Sequence, residues 1–147
     1  MRISKCFWIW GRFSYRDTIY LNEQKNKVQS ILKSPNYDLH VTLAGPYFKV
    51  DNDFLSKLKI FSQNNSPINL YLKNFDFQDQ TFKSFYISIN NSKDLNFLRK
   101  RILKIKKFDF EKEYQPHISL AYGDHKKNMK KNLILKMPKL KESIKLT

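Results

Sequence analysis

An α+β fold is what this sequence predicts, and three observations lead there. Short runs of β-branched and aromatic residues alternate with stretches whose apolar residues recur at helical spacing. Glycines and prolines are few, three and five, and scattered, so turns are available but no linker is. One hexapeptide occurs nearly twice, about half the chain apart, which suggests two similar lobes. The 147 residues allow one domain spanning 1–147.

Residues 3–10 (ISKCFWIW) read as a strand. A helix follows from Asp17 to Lys33, with Leu21, Val28, Ile31 and Leu32 near one face and Ser34-Pro35-Asn36 as its breaker. Leu39 to Ala44 is a short strand, ended by Gly45-Pro46. Asp51 caps a helix that carries Phe54, Leu58 and Phe61 at i, i+4, i+7. Ile68 to Phe75 and Phe82 to Ile89 pair as a hairpin across Asp76 to Thr81. Ser92 caps a further helix with Leu95, Leu98, Ile102 and Ile105 on one face. Lys106 to Gln115 is a charged loop and His117 to Tyr122 a strand. Asp124 to Asn132 is polar and a candidate helix, and Ser143 to Leu146 closes the chain as a strand.

Composition narrows the class. With 41% hydrophobic and 15% aromatic residues the chain can bury a core of its own, which excludes whole-chain disorder. A single cysteine, Cys6, excludes an internal disulfide and any zinc site built from several thiolates. The early apolar run from Cys6 to Trp10 is too short for a signal-peptide core or a membrane span. A soluble cytoplasmic monomer with no membrane partner is the expectation. The net charge is +15, and residues 99–141 carry 14 basic against 4 acidic side chains. Such a field attracts phosphate-bearing partners, so the basic surface is a candidate contact for nucleic acid. Lysine outnumbers arginine 23 to 5 and asparagine and isoleucine abound, so AT-rich coding accounts for the charge equally well.

The repeat carries the chemistry. Residues 40–45 read HVTLAG and residues 117–122 read HISLAY. Side chains at i and i+2 of a strand share a face. His40 therefore points with Thr42, and His117 with Ser119, while Val41, Leu43, Ile118 and Leu120 turn to the other face to pack under helices. Two such strands around one cavity would offer two imidazoles and two hydroxyls to a phosphate. One neutral imidazole can take a proton from water while the other, charged, protonates the leaving oxygen. The hydroxyls can bond the nonbridging oxygens. No cofactor and no metal enter this scheme. A single H-x-[ST] says little, since histidines beside hydroxyl residues are common in sheets. Two copies, each continued by Leu-Ala, are far more specific.

The pair HVTL and HISL resembles the 2H phosphoesterase superfamily, named for two H-x-[ST]-x motifs, and within it the cyclic phosphodiesterase branch. Pro116 before the second motif, Tyr122 after it, the aromatic strand ending Trp8-Ile9-Trp10, and Phe82 to Asn90 followed by a helix opening at Ser92 all match that branch. The resemblance covers most of the chain. It implies a bilobal fold with a pseudo-two-fold axis and a central cleft, and hydrolysis of a cyclic nucleotide phosphate. The 2′,3′-cyclic and ADP-ribose 1″,2″-cyclic types are the ones implied, as free nucleotides or at RNA ends. It implies that His40 and His117 are the acid–base pair, Thr42 and Ser119 the phosphate binders, and Tyr122 a substrate contact.

Other residues complete the reading. Tyr47 and Phe48, just past Gly45-Pro46, are the better candidates for stacking on a base, whereas Trp8 and Trp10 share a strand face and read as core. His125 reads as a solvated loop residue. Lys126, Lys127, Lys130 and Lys131 form a basic cluster, either a solvated face or a track for phosphates. Three alternatives stay open. They are cleavage of a cyclic oligonucleotide immune signal, as small viral 2H proteins perform, an RNA ligase-like activity of the same superfamily, and a non-catalytic RNA-binding module.

Overall fold

Three helices start on a short polar side chain. Ser14 accepts from the Asp17 amide, Asp51 from Phe54 and Ser92 from Leu95, each satisfying an amide that a helix start leaves without a partner. In the computed structural model, residues 6–108 and 113–147 are described. Their elements run β1 (Phe7–Gly11), α1 (Tyr15–Gln29), β2 (Val41–Tyr47), α2 (Asn52–Asn64), β3 (Ile68–Phe77), a 3-10 turn at Thr81–Lys83, β4 (Phe85–Ile89), α3 (Lys93–Ile105), β5 (His117–Ala121), α4 (Lys127–Lys136) and β6 (Ser143–Leu146). The architecture is α+β. The expected strand residues 3–5 and the loop residues 109–112 lie outside the described residues.

All strand pairs are antiparallel. β1 pairs with β2, and a four-stranded sheet has the order β5-β4-β3-β6. A bridge between Phe13 and Leu146 links the first lobe to β6. The two halves follow one plan: β1-α1-β2-α2 in the first, β4-α3-β5-α4 in the second, with the outer strands of each strand–helix–strand unit paired. This is the pseudo-symmetric, two-lobed arrangement that the repeated hexapeptide predicts.

Several boundaries differ from expectation, four of them as follows. α1 begins at Tyr15 because Ser14, three residues before the expected start at Asp17, supplies the cap. It ends at Gln29, short of Lys33. β2 does not stop at Gly45-Pro46 but runs through that cis peptide to Tyr47, which pairs with Phe7. Gly45 makes this passage feasible: its φ is +129°, and a Cβ there would lie 2.8 Å from the Trp8 ring. α4 begins three residues later than expected, because His125 is engaged elsewhere. Its Nε2–H donates to the Lys33 carbonyl and its Nδ1 accepts from the buried Ser84 hydroxyl. His125 is thus a tether between loops, not a solvated side chain.

The core faces follow the periodicities. Leu21 and Val28 of α1, Leu95, Leu98 and Ile102 of α3, and Val41, Leu43, Ile118 and Leu120 of the motif strands are all buried in one cluster. Burial of each such side chain is worth roughly 1.5–3 kcal/mol. α2 contributes only Phe54 fully, with Phe61 packed at the margin. Among the described residues no helix is long and apolar enough to cross a membrane.

Candidate active site

The two motifs lie on β2 and β5 or at their starts, and these strands approach one another from different sheets. His40 immediately precedes β2 and His117 opens β5. Each imidazole is held in the same way. His40 donates Nδ1–H to the Asp38 carbonyl at 2.8 Å, and His117 donates Nδ1–H to the Gln115 carbonyl at 2.9 Å. A carbonyl can only accept, so the neutral tautomer is fixed with its lone pair on Nε2. Two side chains with Nε2 free for proton transfer result, each oriented by the backbone two residues upstream.

Each histidine also meets an aromatic ring from the paired strand. Trp10 lies opposite Thr42 and stacks on His40, with ring centroids 3.6 Å apart and planes 8° from parallel. Tyr86 lies opposite Ser119 and meets His117 edge-on at 5.4 Å. Trp10 and Trp8 are therefore not core residues: Trp10 is 46% exposed and Trp8 is similarly open. Among the described residues β1 has only β2 beside it, and its tryptophan face is left half open.

Both histidines protonate less readily than a free imidazole. For His40 the main cause is burial, partly opposed by the Asp38 carbonyl and carboxylate, with Arg12 adding to the depression. For His117 it is again burial first, opposed by the Gln115 carbonyl and reinforced by the charges of Lys83 and His40.

The hydroxyls differ. Ser119 is buried and its hydroxyl donates to the Phe82 carbonyl at 2.8 Å, whereas Thr42 makes no side-chain hydrogen bond among the described residues. To donate to a phosphate, Ser119 must first release Phe82. Tyr122 follows β5, stacked on Tyr37 at 3.9 Å and met edge-on by the exposed Phe82.

Tyr47 is a correction. It is 2% exposed, packs against Phe54 and Phe108, and donates its hydroxyl to the Lys106 carbonyl. Because β2 continues past Gly45-Pro46, Tyr47 falls on the inward side of a paired strand and offers no face to a base. Its neighbour Phe48 is exposed. Lys130, from the basic cluster, is also not at the surface. It is 3% exposed and spans to the Gln78 carbonyl.

Lys83 is a site residue that the sequence did not single out. Its ammonium lies over the Tyr86 ring at 4.8 Å and donates to Gln115 Oε1 at 2.9 Å. The backbone of the same Gln115 holds His117. Burial keeps the Lys83 pKa below that of a free lysine. Replacing Lys83 by Gln is expected to raise the pKa of His117, since one positive charge that opposes its protonation is gone. An NMR titration of the His117 ring protons checks this, and an unchanged midpoint would show that the two groups do not sense each other. Among the described residues no group of three or more His, Cys, Asp or Glu side chains converges as a metal site would require.

A family model described as the 2′-5′ RNA ligase superfamily matches residues 11–147. Comparison with curated proteins gives no match.

Proposed function

From the premise that the chain belongs to the 2′-5′ RNA ligase superfamily, that is, to the 2H phosphoesterases, with the phosphoesterase-type chemistry this carries, we propose that it hydrolyses a cyclic nucleotide phosphodiester of the 2′,3′-cyclic or ADP-ribose 1″,2″-cyclic type. The observation that carries the reading is the matched pair of imidazoles, each with Nδ1–H on a carbonyl and Nε2 free.

In this reading one neutral Nε2 takes a proton from water as its oxygen attacks phosphorus. The P–O bond to the leaving oxygen breaks in line, and Nε2–H of the other, charged imidazole protonates that oxygen. Each step of this kind typically contributes about 10²–10⁴-fold. The carbonyl bond to Nδ1–H strengthens when the ring is charged, which offsets part of the penalty of burial. Thr42 and Ser119 are the donors to the nonbridging oxygens, and Tyr122 borders the nucleoside. Trp10 holds the His40 ring by stacking on it.

An open groove of about 600 Å³ adjoins Tyr122 and includes Lys33, Ser34 and Lys126. It favours a second reading in which the phosphodiester that is cleaved belongs to a cyclic oligonucleotide, whose further phosphates the lysines would meet.

Purified protein in excess chelator should be offered 2′,3′-cyclic mononucleotides, ADP-ribose cyclic phosphate, and cyclic di- and trinucleotides, with products resolved by chromatography. Ring opening of a mononucleotide is the expected result, and it should persist in chelator because both proton transfers are assigned to imidazoles. Turnover of cyclic oligonucleotides alone would select the second reading. Turnover that requires an added divalent ion would overturn the two-histidine scheme.

A further inference from the structure

Four of the side-chain hydrogen bonds that cross between the lobes end on carbonyls of the motif strands, and they come in corresponding pairs. Among the described residues β5 is the end strand of its sheet and β2 has one strand partner, so each has an edge whose backbone groups need partners from elsewhere. The opposite lobe supplies them. Tyr37 Oη donates to the Ser119 carbonyl at 2.9 Å, and Gln29 Nε2 of α1 donates to the Leu120 carbonyl at 3.1 Å. In return Tyr114 Oη donates to the Thr42 carbonyl at 2.7 Å, and Arg99 Nε of α3 donates to the Leu43 carbonyl at 2.9 Å.

The match holds position by position. Each tyrosine stands three residues before its own lobe's histidine, so the repeat reads Tyr-x-x-His-[VI]-[ST]-Leu-Ala. Each lobe's helix bonds the carbonyl of the other motif's leucine, and each lobe's tyrosine bonds that of its hydroxyl residue. Both rings are held from a second side. Tyr37 stacks on Tyr122, and the Arg99 guanidinium covers Tyr114 at 3.4 Å from its centroid. Burial pushes both phenols above their ordinary pKa, Tyr114 to about 12, so each remains a donor throughout the working pH range.

We propose that Tyr37 and Tyr114 are reciprocal positioning residues: each fixes the motif strand of the opposite lobe, and together they set the separation of the two imidazoles. The catalytic consequence rests on the two-histidine reading above, whereas the structural consequence rests on the crossed hydrogen bonds alone. Backbone pairing would have zipped the two motif strands into one sheet. Side-chain donors reach farther, so they hold the strands in register and leave a cleft between them.

The test uses full-length Tyr37→Phe and Tyr114→Phe, which keep both rings and remove only the donors. Its first readout is the NMR titration of His117, with and without His40→Ala in each background. The charged groups facing His117 are His40 and Lys83, with the Tyr86 ring beside it, and His40 itself faces Asp38 and Arg12. In the native protein His117 should titrate lower than in His40→Ala, because a charged His40 opposes it. In either tyrosine variant that difference should shrink.

The second readout is hydrolysis of 2′,3′-cyclic AMP, where kcat should fall about 10- to 100-fold with little change in KM, as small misplacements of catalytic groups do. Native coupling and native kcat in both variants, with only the melting temperature lowered, would make the tyrosines ordinary stabilising residues and overturn the proposal. If the native protein opened no cyclic phosphate, the functional reading would fail by itself and the titration would still decide. Should one variant not fold, the other decides alone, since both bonds bear on one separation.

Discussion

His40→Ala and His117→Ala are each expected to lower kcat/KM on the cyclic substrate by about 10²–10⁴-fold, with the fold intact by circular dichroism. The double variant should be little worse than either single one, because a base without its acid partner has no completed transfer to assist. The pH profile carries the sign. Both imidazoles have pKa values below that of a free histidine, His40 through burial and His117 through burial plus the Lys83 and His40 charges. The active form holds one proton on the pair, so the bell of kcat/KM should peak on the acid side of 6.5. Bound substrate brings a negative phosphate, which favours the charged ring, so the bell of kcat should sit at higher pH. A folded His40→Ala protein with native turnover per molecule would eliminate the acid–base pair and leave the RNA-binding reading in its place.

Asp17→Ala is expected to cost about 2–3 kcal/mol of stability, the scale for removing a hydrogen-bonded buried charge. For a chain of this size that is a drop of about 5–10 °C in melting temperature. Asp17 is buried and accepts from the Ser14 hydroxyl and the Lys145 amide at 2.8 Å each, and from the Lys141 ammonium at 3.0 Å. It therefore clamps the start of α1 to β6, the last strand of the larger sheet. Burial alone would raise its pKa, but the bonds from Lys145, Ser14 and Lys141 outweigh it and hold the carboxyl below the usual aspartate value of 3.8. A carboxylate with a depressed folded pKa contributes stability above the unfolded value and loses it as pH falls through the folded one. The penalty of the substitution should accordingly be full above about pH 4 and shrink in more acidic solution. Urea unfolding at several pH values measures both effects, and a penalty independent of pH would mean that the charge plays no part.

What the sequence revealed and what it hid divide along physical lines. His40, Thr42, His117 and Ser119 were legible because strand periodicity alone pairs i with i+2, and the same rule put Val41, Leu43, Ile118 and Leu120 in the core. Trp10 and Tyr86 were not, because their places beside the histidines depend on which residue of a neighbouring strand lies opposite Thr42 and Ser119. Pairing register of this kind is a tertiary property. Tyr47 was misplaced because Gly-Pro ordinarily ends a strand, whereas here the pairing with Phe7 carries the strand through it. Lys83 sits in a turn whose sequence signals only a reversal, and its approach to His117 comes from the 3-10 coil of Thr81–Lys83. The tyrosines had a visible signal: reading the repeat three residues farther upstream aligns Tyr37 with Tyr114.

The crossed donors have a kinetic side as well. The four bonds that tie each motif strand to the opposite lobe close loops of 82, 91, 72 and 56 residues. Loop closure of that span sets in late, after local helices and the β3–β4 hairpin have already gained their own contacts. Neither half can complete its share of the site until the other has docked, so a newly made chain acquires secondary structure well before it acquires a working centre. A nascent chain therefore cannot bring the two histidine motifs together until its second half has emerged.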